Sequence, residues 1–132
     1  MADVWPALDV LVVDDDPAVR TSFGDVLRQA GYRVKEAEDG FAAFALIKSR
    51  PAFGAVVLDL ALPVLDGLHL LEMIDDPPPV ILMSGQGWTW NDPAILERRD
   101  KFLVFVEKPV SPAVLLAVVE LALDGRRPAA RR

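Results

Sequence analysis

Five polar side chains follow the apolar segments of this sequence, and their chemical types suit a cation and a phosphate. Asp14 and Asp15 follow the first apolar segment, and Asp59 follows the third. Ser84 and Lys108 follow the fourth and the fifth. Carboxylates that are held close together repel one another and resist joint ionisation, and a divalent cation relieves that repulsion. Because all the ligand atoms would be oxygens, the set favours Mg²⁺, Mn²⁺ or Ca²⁺ over zinc or copper.

The lysine and the serine extend this chemistry to a phosphoryl group. An ammonium group can neutralise one phosphoryl oxygen while a hydroxyl donates a hydrogen bond to another, and together they form an electrostatic clamp. A carboxylate at the centre can itself be the nucleophile and form an aspartyl-phosphate. Mg²⁺ suits the set best, because it binds through one or two carboxylates together with water and substrate phosphate.

The composition excludes several other kinds of chemistry. The 132 residues contain no Cys, which excludes disulfides, thiolate metal sites and Cys nucleophiles. The single His, His69, excludes multi-His metal sites, and we expect it to be solvated on a helix. The 20 acidic and 14 basic residues give a net charge of −6, so we expect no direct nucleic-acid binding.

No membrane association is expected from the sequence. The longest apolar runs stop far short of the roughly 18 residues that a membrane span requires. The amino terminus shows no basic stretch that leads into an apolar one, as a secretory signal would. These features predict a soluble, cytoplasmic protein.

The elements that must position the polar residues are visible in the changing period of the apolar pattern. Short runs rich in β-branched residues are typical of buried strands. They predict strands at 8–13, 32–37, 55–58, 80–83 and 102–106. Apolar residues at helical spacing predict helices that begin near Asp16, Asp39, Asp66, Asp92 and Ser111. Five strands alternating with five helices indicate an open, mostly parallel α/β sheet whose ligand site lies at the carboxyl ends of the strands.

The five polar positions lie in segments that resemble the receiver domains of two-component response regulators. These segments are 12–17, 57–63, 66–67, 81–85 and 107–109. The resemblance runs from about Asp9 to Leu123 and implies a flavodoxin-like five-stranded parallel sheet of order 2-1-3-4-5 with five flanking helices. The fourth helix departs from the family pattern, because Pro93 to Arg99 allows only about two turns. We expect a receiver domain over 8–124 and a flexible basic tail over 125–132.

The resemblance assigns roles to the residues of the site. Asp59 is implied to accept the phosphoryl group and to share in binding Mg²⁺, for which Mn²⁺ can substitute. Asp15 is implied to coordinate the ion directly and Asp14 largely through water, while the backbone carbonyl of Ala61 completes the protein's share. Lys108 is implied to contact the phosphoryl group.

Two further residues are implied to form a switch. Ser84 matches the hydroxyl that turns toward the phosphate after phosphorylation. Phe105 matches the aromatic side chain that moves with it, although ordinary core packing explains Phe105 equally well. Ala61 and Gln86 lie at positions that tune the access of water to the phosphoryl group.

The resemblance also implies partners. The phosphoryl donor is a sensor histidine kinase or a phosphotransfer protein, and a downstream protein target responds to the switched surface. A homodimer through the fourth helix and the fifth strand is an additional arrangement to test. The domain would phosphorylate and dephosphorylate itself and would not be a conventional enzyme.

Two other classes of protein provide alternatives. A hydrolase of the haloacid dehalogenase type would have a second Asp two residues after the nucleophile, where this chain has Ala61. A pseudo-receiver would act as an interaction module only, which the intact set of polar residues argues against. Trp88 and Trp90 lie in the loop 85–91, and they either fold back on the core or form an exposed partner surface.

Overall fold

Five parallel strands form one sheet in the computed structural model, which describes residues 9–49, 53–85 and 87–124. The strands are β1 (Asp9–Val13), β2 (Arg33–Ala37), β3 (Phe53–Asp59), β4 (Val80–Ser84) and β5 (Val104–Glu107). Their order is β2-β1-β3-β4-β5. The helices are α1 (Pro17–Gln29), α2 (Gly40–Ser49), α3 (Gly67–Met73), α4 (Pro93–Leu96) and α5 (Pro112–Asp124). The predicted fold class and strand order are confirmed, and the predicted tail 125–132 lies outside the described residues.

The burial of the strands follows from their place in the sheet. Every residue of β1, β3 and β4 is buried, because neighbouring strands and helices cover these central strands on all sides. The edge strands β2 and β5 are only partly buried. The apolar composition of the central segments therefore reflects their double-sided burial.

The sheet separates two apolar cores. Alternate residues of a strand point to opposite faces, so Leu11 belongs to one core and Val12 to the other. Helices α2, α3 and α4 close the first core, and helices α1 and α5 close the second. The helices thereby fix the strands, and the strand ends can present polar residues at one edge of the sheet.

Four of the described helices begin at aspartates that cap their amino termini, and Asp39 does so for α2. Asp16 accepts the backbone N–H groups of Ala18 and Val19, so α1 begins where the sequence predicts. Asp66 does the same for α3 and Asp92 for α4. These acidic residues near the strand ends therefore stabilise helix starts.

The region between β4 and β5 differs from the prediction. Helix α4 has four residues rather than about two turns. The chain beyond it is held by bonds from the N–H of Arg98 to the carbonyl of Ile95 and from the N–H of Lys101 to the carbonyl of Arg98. These three-residue spacings tighten the backbone and end the α-helix. Strand β5 consequently begins at Val104, two residues later than predicted.

A strained turn lies between β3 and α3. Val64 has a φ of 66° and is 91% exposed, so no packing compensates for its conformation. A hydrogen bond from the N–H of Leu65 to the carbonyl of Pro63 closes a three-residue turn around it. A positive φ is unfavourable for a β-branched residue and costs about 1–2 kcal/mol.

We expect Val64→Gly to stabilise the protein by roughly 0.5–1 kcal/mol. The gain is smaller than the strain it relieves, because Gly loses more backbone entropy on folding. Urea denaturation measures the change. The matched control is Val114→Gly, which lies on α5 at 43% exposure and should destabilise the protein. Equal losses of stability in both variants would contradict strain at Val64.

Candidate functional site

The carboxyl ends of three strands bring Asp14, Asp59 and Lys108 together. The Nζ of Lys108 donates to Oδ2 of Asp14 at 2.7 Å and lies 3.3 Å from Oδ2 of Asp59. Asp14 follows β1 and Asp59 ends β3, and these neighbouring strands flank the point where the strand order reverses. Ligands of open α/β sheets bind at such a point. The structure therefore brings these three predicted residues into one pocket.

Backbone hydrogen bonds extend the sheet to the site residues. The N–H of Asp14 donates to the carbonyl of Ala37 at 3.2 Å, and the N–H of Lys108 donates to the carbonyl of Ser84 at 2.7 Å. These bonds continue the β1–β2 and β4–β5 ladders beyond the last strand residues. The ladders consequently determine where the carboxylate and the ammonium lie.

Three carboxylates form a candidate cation site. Asp14, Asp15 and Asp59 each offer one oxygen, and these oxygens lie within 4.8 Å of one another. Asp14 and Asp59 are buried, whereas Asp15 is exposed. Mg²⁺ binds oxygen at about 2.0–2.1 Å and retains several waters, so the three groups can share one ion directly or through a bound water. The oxygen-only donor set, with two of its three carboxylates buried, fits a hard divalent cation.

Asp14 is held at both of its carboxylate oxygens. Oδ1 accepts the N–H of Asp16 at 3.0 Å and Oδ2 accepts the ammonium of Lys108. Its side chain is almost fully buried, at 3% exposure. These bonds compensate for the cost of burying the charge. They leave Asp14 as a fixed point on one side of the pocket.

The surroundings of Asp59 oppose its negative charge. Burial and the neighbouring charge of Asp14 raise its pKa, although Lys108 and the N–H of Ala61, 3.2 Å from Oδ1, act in the opposite direction. Burial alone would lower the pKa of Lys108, but its hydrogen bond to Asp14 and the charge of Asp59 raise it. Lys108 therefore remains protonated beside two carboxylates.

We expect Asp59→Asn to stabilise the cation-free protein at neutral pH. A raised pKa in the folded state means that the charged carboxylate weakens the fold above that pKa. The penalty disappears below the ordinary Asp value of 3.8, where the carboxyl group is protonated in both states. We expect a gain of roughly 1 kcal/mol at pH 7 that fades toward pH 4. Urea denaturation in EDTA at both pH values measures it.

Asp66→Asn is the matched control for this stability measurement. The pKa of Asp66 is lowered: burial raises it, but the hydrogen bonds from the backbone and ring of His69 outweigh that effect. The carboxylate of Asp66 thus favours the folded state, and its removal should give no gain. A wild-type protein more stable than Asp59→Asn at pH 7 would contradict the repulsion inferred at Asp59.

Ser84 ends β4 at this edge of the sheet, whereas Phe105 lies within β5. The hydroxyl of Ser84 is fully buried and donates to the carbonyl of Gly85 at 3.1 Å. Phe105 is opposite Leu82 in the β4–β5 ladder and packs, half-buried, against the core under α2, α3 and α4. The contacts of Phe105 agree with core packing. The switch roles of both residues stay predictions.

The remaining predicted positions have mixed outcomes. Ala61 is exposed beside Asp59, and Gln86 lies outside the described residues. Trp88 is half-buried against the core, whereas Trp90 is 64% exposed. Trp88 therefore folds back on the core and Trp90 does not, and a partner surface at Trp90 stays a prediction. His69 is exposed on α3, as predicted, with Nδ1 3.0 Å from Oδ1 of Asp66.

Arg20 supports the site but carries no signal in the sequence that marks it as a site residue. Its Nη1 donates to the backbone carbonyl of Asp14 at 2.7 Å. The residue lies on the first part of α1, and no recognised pattern distinguishes it there from a surface arginine. The contact depends on the path of the turn after β1, which only the structure provides.

An apolar hollow of about 540 Å³ adjoins the pocket. It is lined by residues of α1 and of the segment after β5, together with Lys108. Its apolar lining residues are Ala18, Val19, Phe23, Pro109 and Val110. A partner that approaches Lys108 and Asp59 would therefore meet an apolar surface beside the charged pocket.

The parallel sheet of order 2-1-3-4-5 carries carboxylates and a lysine at the point where the strand order reverses. The chain is therefore an α/β protein with an acidic pocket at the carboxyl ends of its strands. Residues 10–120 match the family model described as the response regulator receiver domain. The chain belongs to this family. Receiver domains of response regulators interact with kinases and with downstream effectors.

Curated relatives agree with this assignment. The chain is 35% identical over 128 residues to the transcriptional regulatory protein FixJ of Bradyrhizobium diazoefficiens. The aligned region covers 92% of this chain and 60% of FixJ. It is 37% identical to the C4-dicarboxylate transport transcriptional regulatory protein DctD of Pseudomonas aeruginosa, over 89% of this chain and 26% of that protein. The chain thus spans about 60% or less of these relatives.

Solved structures share the fold. A response regulator receiver domain protein from Clostridium thermocellum superposes with a TM-score of 0.79 at 22% identity, over 90% of this chain and 96% of that one. NtrX from Brucella abortus, crystallised with ATP, gives a TM-score of 0.76 at 35% identity, over 90% of this chain and 27% of that one. The first similarity supports the fold alone.

Among the described residues, no helix combines the length and the apolar character needed to cross a bilayer.

Proposed function

We propose that this receiver domain accepts a phosphoryl group on Asp59 from the phosphohistidine of a sensor histidine kinase or phosphotransfer protein. An oxygen of Asp59 forms the new P–O bond while the P–N bond to the partner's imidazole breaks, and the imidazole leaves with a proton. The observation that carries the proposal is the Lys108 ammonium between the buried carboxylates of Asp14 and Asp59. Such a group can neutralise a phosphoryl oxygen at the nucleophile.

The proposal includes a divalent cation, with Mg²⁺ preferred and Mn²⁺ able to replace it. Asp14, Asp15 and Asp59 would hold it, together with the backbone carbonyl of Ala61. When bound, the ion supplies positive charge that neutralises the transferred phosphoryl group. The chain itself contributes the oxygens and holds the ammonium of Lys108 within 3.3 Å of the Asp59 carboxylate.

The burial of Asp59 supports its role as the nucleophile. At 6% exposure it lies below the protein surface, but exposed Asp15 and the adjoining hollow leave the pocket open on one side. A phosphoryl group can therefore approach while most of the pocket stays shielded from water. Shielding strengthens the interaction of the phosphate with Lys108.

Phosphorylation would then switch an interaction surface. The hydroxyl of Ser84 bonds only weakly, to the neighbouring Gly85 carbonyl, and rotation about one bond would free it for a phosphoryl oxygen. Phe105 would move with it. A downstream protein target would read the change, and a homodimer through α4 and β5 is a further arrangement to test. The cytoplasmic location stays a prediction from the sequence.

The domain would not act as a conventional enzyme, because the phosphoryl group stays on its own Asp59 until water removes it. A hydrolase of the haloacid dehalogenase type needs a proton-shuttling acid two residues after the nucleophile, and Ala61 stands there. The exposed methyl group of Ala61 cannot transfer a proton. The receiver is therefore the function that the residues support best.

The test is to incubate the protein with acetyl phosphate or phosphoramidate and Mg²⁺ and to measure its intact mass. We expect one phosphoryl adduct per chain that is absent in EDTA. Turnover of many different phosphoesters without an adduct would favour the hydrolase. Absence of any adduct with either donor would favour the interaction module and contradict the proposal.

A further inference from the structure

Arg20 lies between the candidate cation site and the edge strand β2, and it contacts both. Its Nη1 donates to the backbone carbonyl of Asp14 at 2.7 Å. Its Nε lies 3.4 Å from Oε1 of Glu36 on β2. The side chain is only 17% exposed, so these contacts are partly shielded from solvent. A guanidinium with donors on two sides is suited to such a bridge.

Glu36 is held in turn by a second arginine. Nη2 of Arg28, near the end of α1, lies 2.9 Å from Oε2 of Glu36. Gly24 leaves room for this pair, because a Cβ there would lie 3.0 Å from both Nη1 of Arg28 and Oε2 of Glu36. Arg20 therefore rests on a carboxylate whose position is fixed by β2 and α1.

The turn that carries Asp15 needs such a restraint. Within the part of the chain that the structure describes, the Asp15 side chain makes no hydrogen bond or ion pair, and it is exposed. Its carboxylate is repelled by the two other carboxylates of the cluster. Only the backbone of the turn determines where Asp15 lies. Arg20 holds that backbone at the carbonyl immediately before Asp15.

We infer that Arg20 is a positioning residue for the cation site, an inference that rests on the cation in the proposed function. Arg20 contacts neither the ion nor the phosphate. It fixes the Asp14 carbonyl so that the Asp15 carboxylate is already near the place where it binds the ion. Preorganised ligands bind more tightly because less conformational entropy is lost on binding.

The positive charge of Arg20 and its restraint on the turn have opposite effects on Mg²⁺ affinity, so an experiment can distinguish them. A positive charge near a cation site weakens cation binding, so its removal alone would strengthen binding. Loss of the restraint would weaken binding. Weaker Mg²⁺ binding after removal of Arg20 would therefore identify positioning and not charge.

The experiment is calorimetric titration of Mg²⁺ into wild type, Arg20→Met and Arg28→Met. Arg28→Met is the matched control, because it removes an equal charge from the same helix and the same Glu36 without touching Asp14. We expect about tenfold weaker Mg²⁺ binding in Arg20→Met, as for residues that orient metal ligands. We expect Arg28→Met to stay within about twofold of wild type, as for an exposed ion pair.

Phosphorylation by acetyl phosphate supplies a second readout. In Arg20→Met the rate should fall at low Mg²⁺ and approach the wild-type rate at saturating Mg²⁺, because the nucleophile and Lys108 are unchanged. A purely structural role would not give this dependence. Urea denaturation confirms that each variant is folded under the assay conditions. If Arg20→Met does not fold, Arg20→Lys and Arg28→Lys replace the pair, and the larger loss of affinity is expected in Arg20→Lys.

Equal Mg²⁺ affinities in the Arg20 variant and its Arg28 control would overturn the inference and leave the proposed function intact. Tighter binding in Arg20→Met would also overturn it, since only the charge would then matter. A wild-type protein that binds no Mg²⁺ would overturn the cation of the proposed function, and the inference with it.

Discussion

Lys108→Ala is expected to slow the phosphorylation of Asp59 by acetyl phosphate by about 100-fold or more. The Lys108 ammonium lies within 3.3 Å of the Asp59 carboxylate and is the group that would meet the charge on the phosphoryl oxygens. The substitution also leaves Asp14 and Asp59 next to each other without a counter-ion, which raises the pKa of Asp59 further.

Single-turnover mass spectrometry at saturating Mg²⁺ measures the rate. Lys108→Arg is the companion variant, because it retains the charge while changing the shape of the donor, and we expect a partial loss. Mg²⁺ binding should survive in Lys108→Ala, since the lysine is not a ligand and its removal lessens the repulsion of a cation. A rate within threefold or so of wild type would contradict the electrostatic role assigned to Lys108.

Asp15→Asn is expected to produce the opposite pattern, with Mg²⁺ affinity reduced by at least about tenfold. Asp15 is exposed, so its replacement should leave the fold unchanged. A neutral amide oxygen attracts a divalent cation less strongly than a carboxylate does. Calorimetric titration measures the affinity, and the phosphorylation rate should recover partly at high Mg²⁺ concentration.

Asp16→Asn is the matched control for Asp15→Asn. Asp16 is the next residue of the same turn and also carries an exposed carboxylate, but its oxygen accepts the N–H groups that cap α1. Asn caps helices about as well as Asp does. Mg²⁺ affinity should therefore change little. Equal losses in the two variants would show that the general negative charge of the turn, and not Asp15, attracts the ion.

These two predictions separate binding from transfer. Lys108→Ala should bind Mg²⁺ and transfer slowly, whereas Asp15→Asn should bind Mg²⁺ weakly and transfer once the ion is supplied in excess. The separation follows from geometry, because Asp15 lies on the turn after β1 and Lys108 on the segment after β5. If these residues only stabilised the fold, the two substitutions would not affect Mg²⁺ affinity and phosphorylation rate separately.

The strand ends could be predicted from the sequence because a strand buried on both faces appears as an uninterrupted run of apolar residues. The apolar runs before Asp14 and Asp59 are buried at every position, and the polar residue that follows each run marks the edge of the sheet. Parallel topology then places these edges together. Fold class and the convergence of three site residues follow from this pattern, whereas the strand order 2-1-3-4-5 is implied by the resemblance to receiver domains.

The region after β4 could not be predicted in the same detail. The length of α4 depends on three-residue backbone bonds at Arg98 and Lys101, and such bonds leave no periodic signal. The different positions of Trp88 and Trp90 depend on how this short connection packs against the core. Local sequence specifies neither outcome.

The supporting contacts of the site were also hidden from the sequence. Arg20 and Glu36 are 16 residues apart, and they meet because β2 pairs with β1 in a register that places Val12 opposite Glu36. The raised pKa of Asp59 likewise depends on burial and on Asp14, which is distant in the chain. Tertiary contacts of this kind require the three-dimensional arrangement.

Locating the phosphoryl group tests most directly whether Asp59 is the phosphoacceptor. The protein is treated with acetyl phosphate and Mg²⁺, the acyl phosphate is reduced with borohydride, and the peptides are sequenced by mass spectrometry. We expect Asp59 alone to be converted to homoserine, and we expect no reduced product in Asp59→Asn. Reduction at Asp14 or Asp15 in the wild-type protein, or a product that persists in Asp59→Asn, would contradict the assignment of Asp59 as the phosphoacceptor.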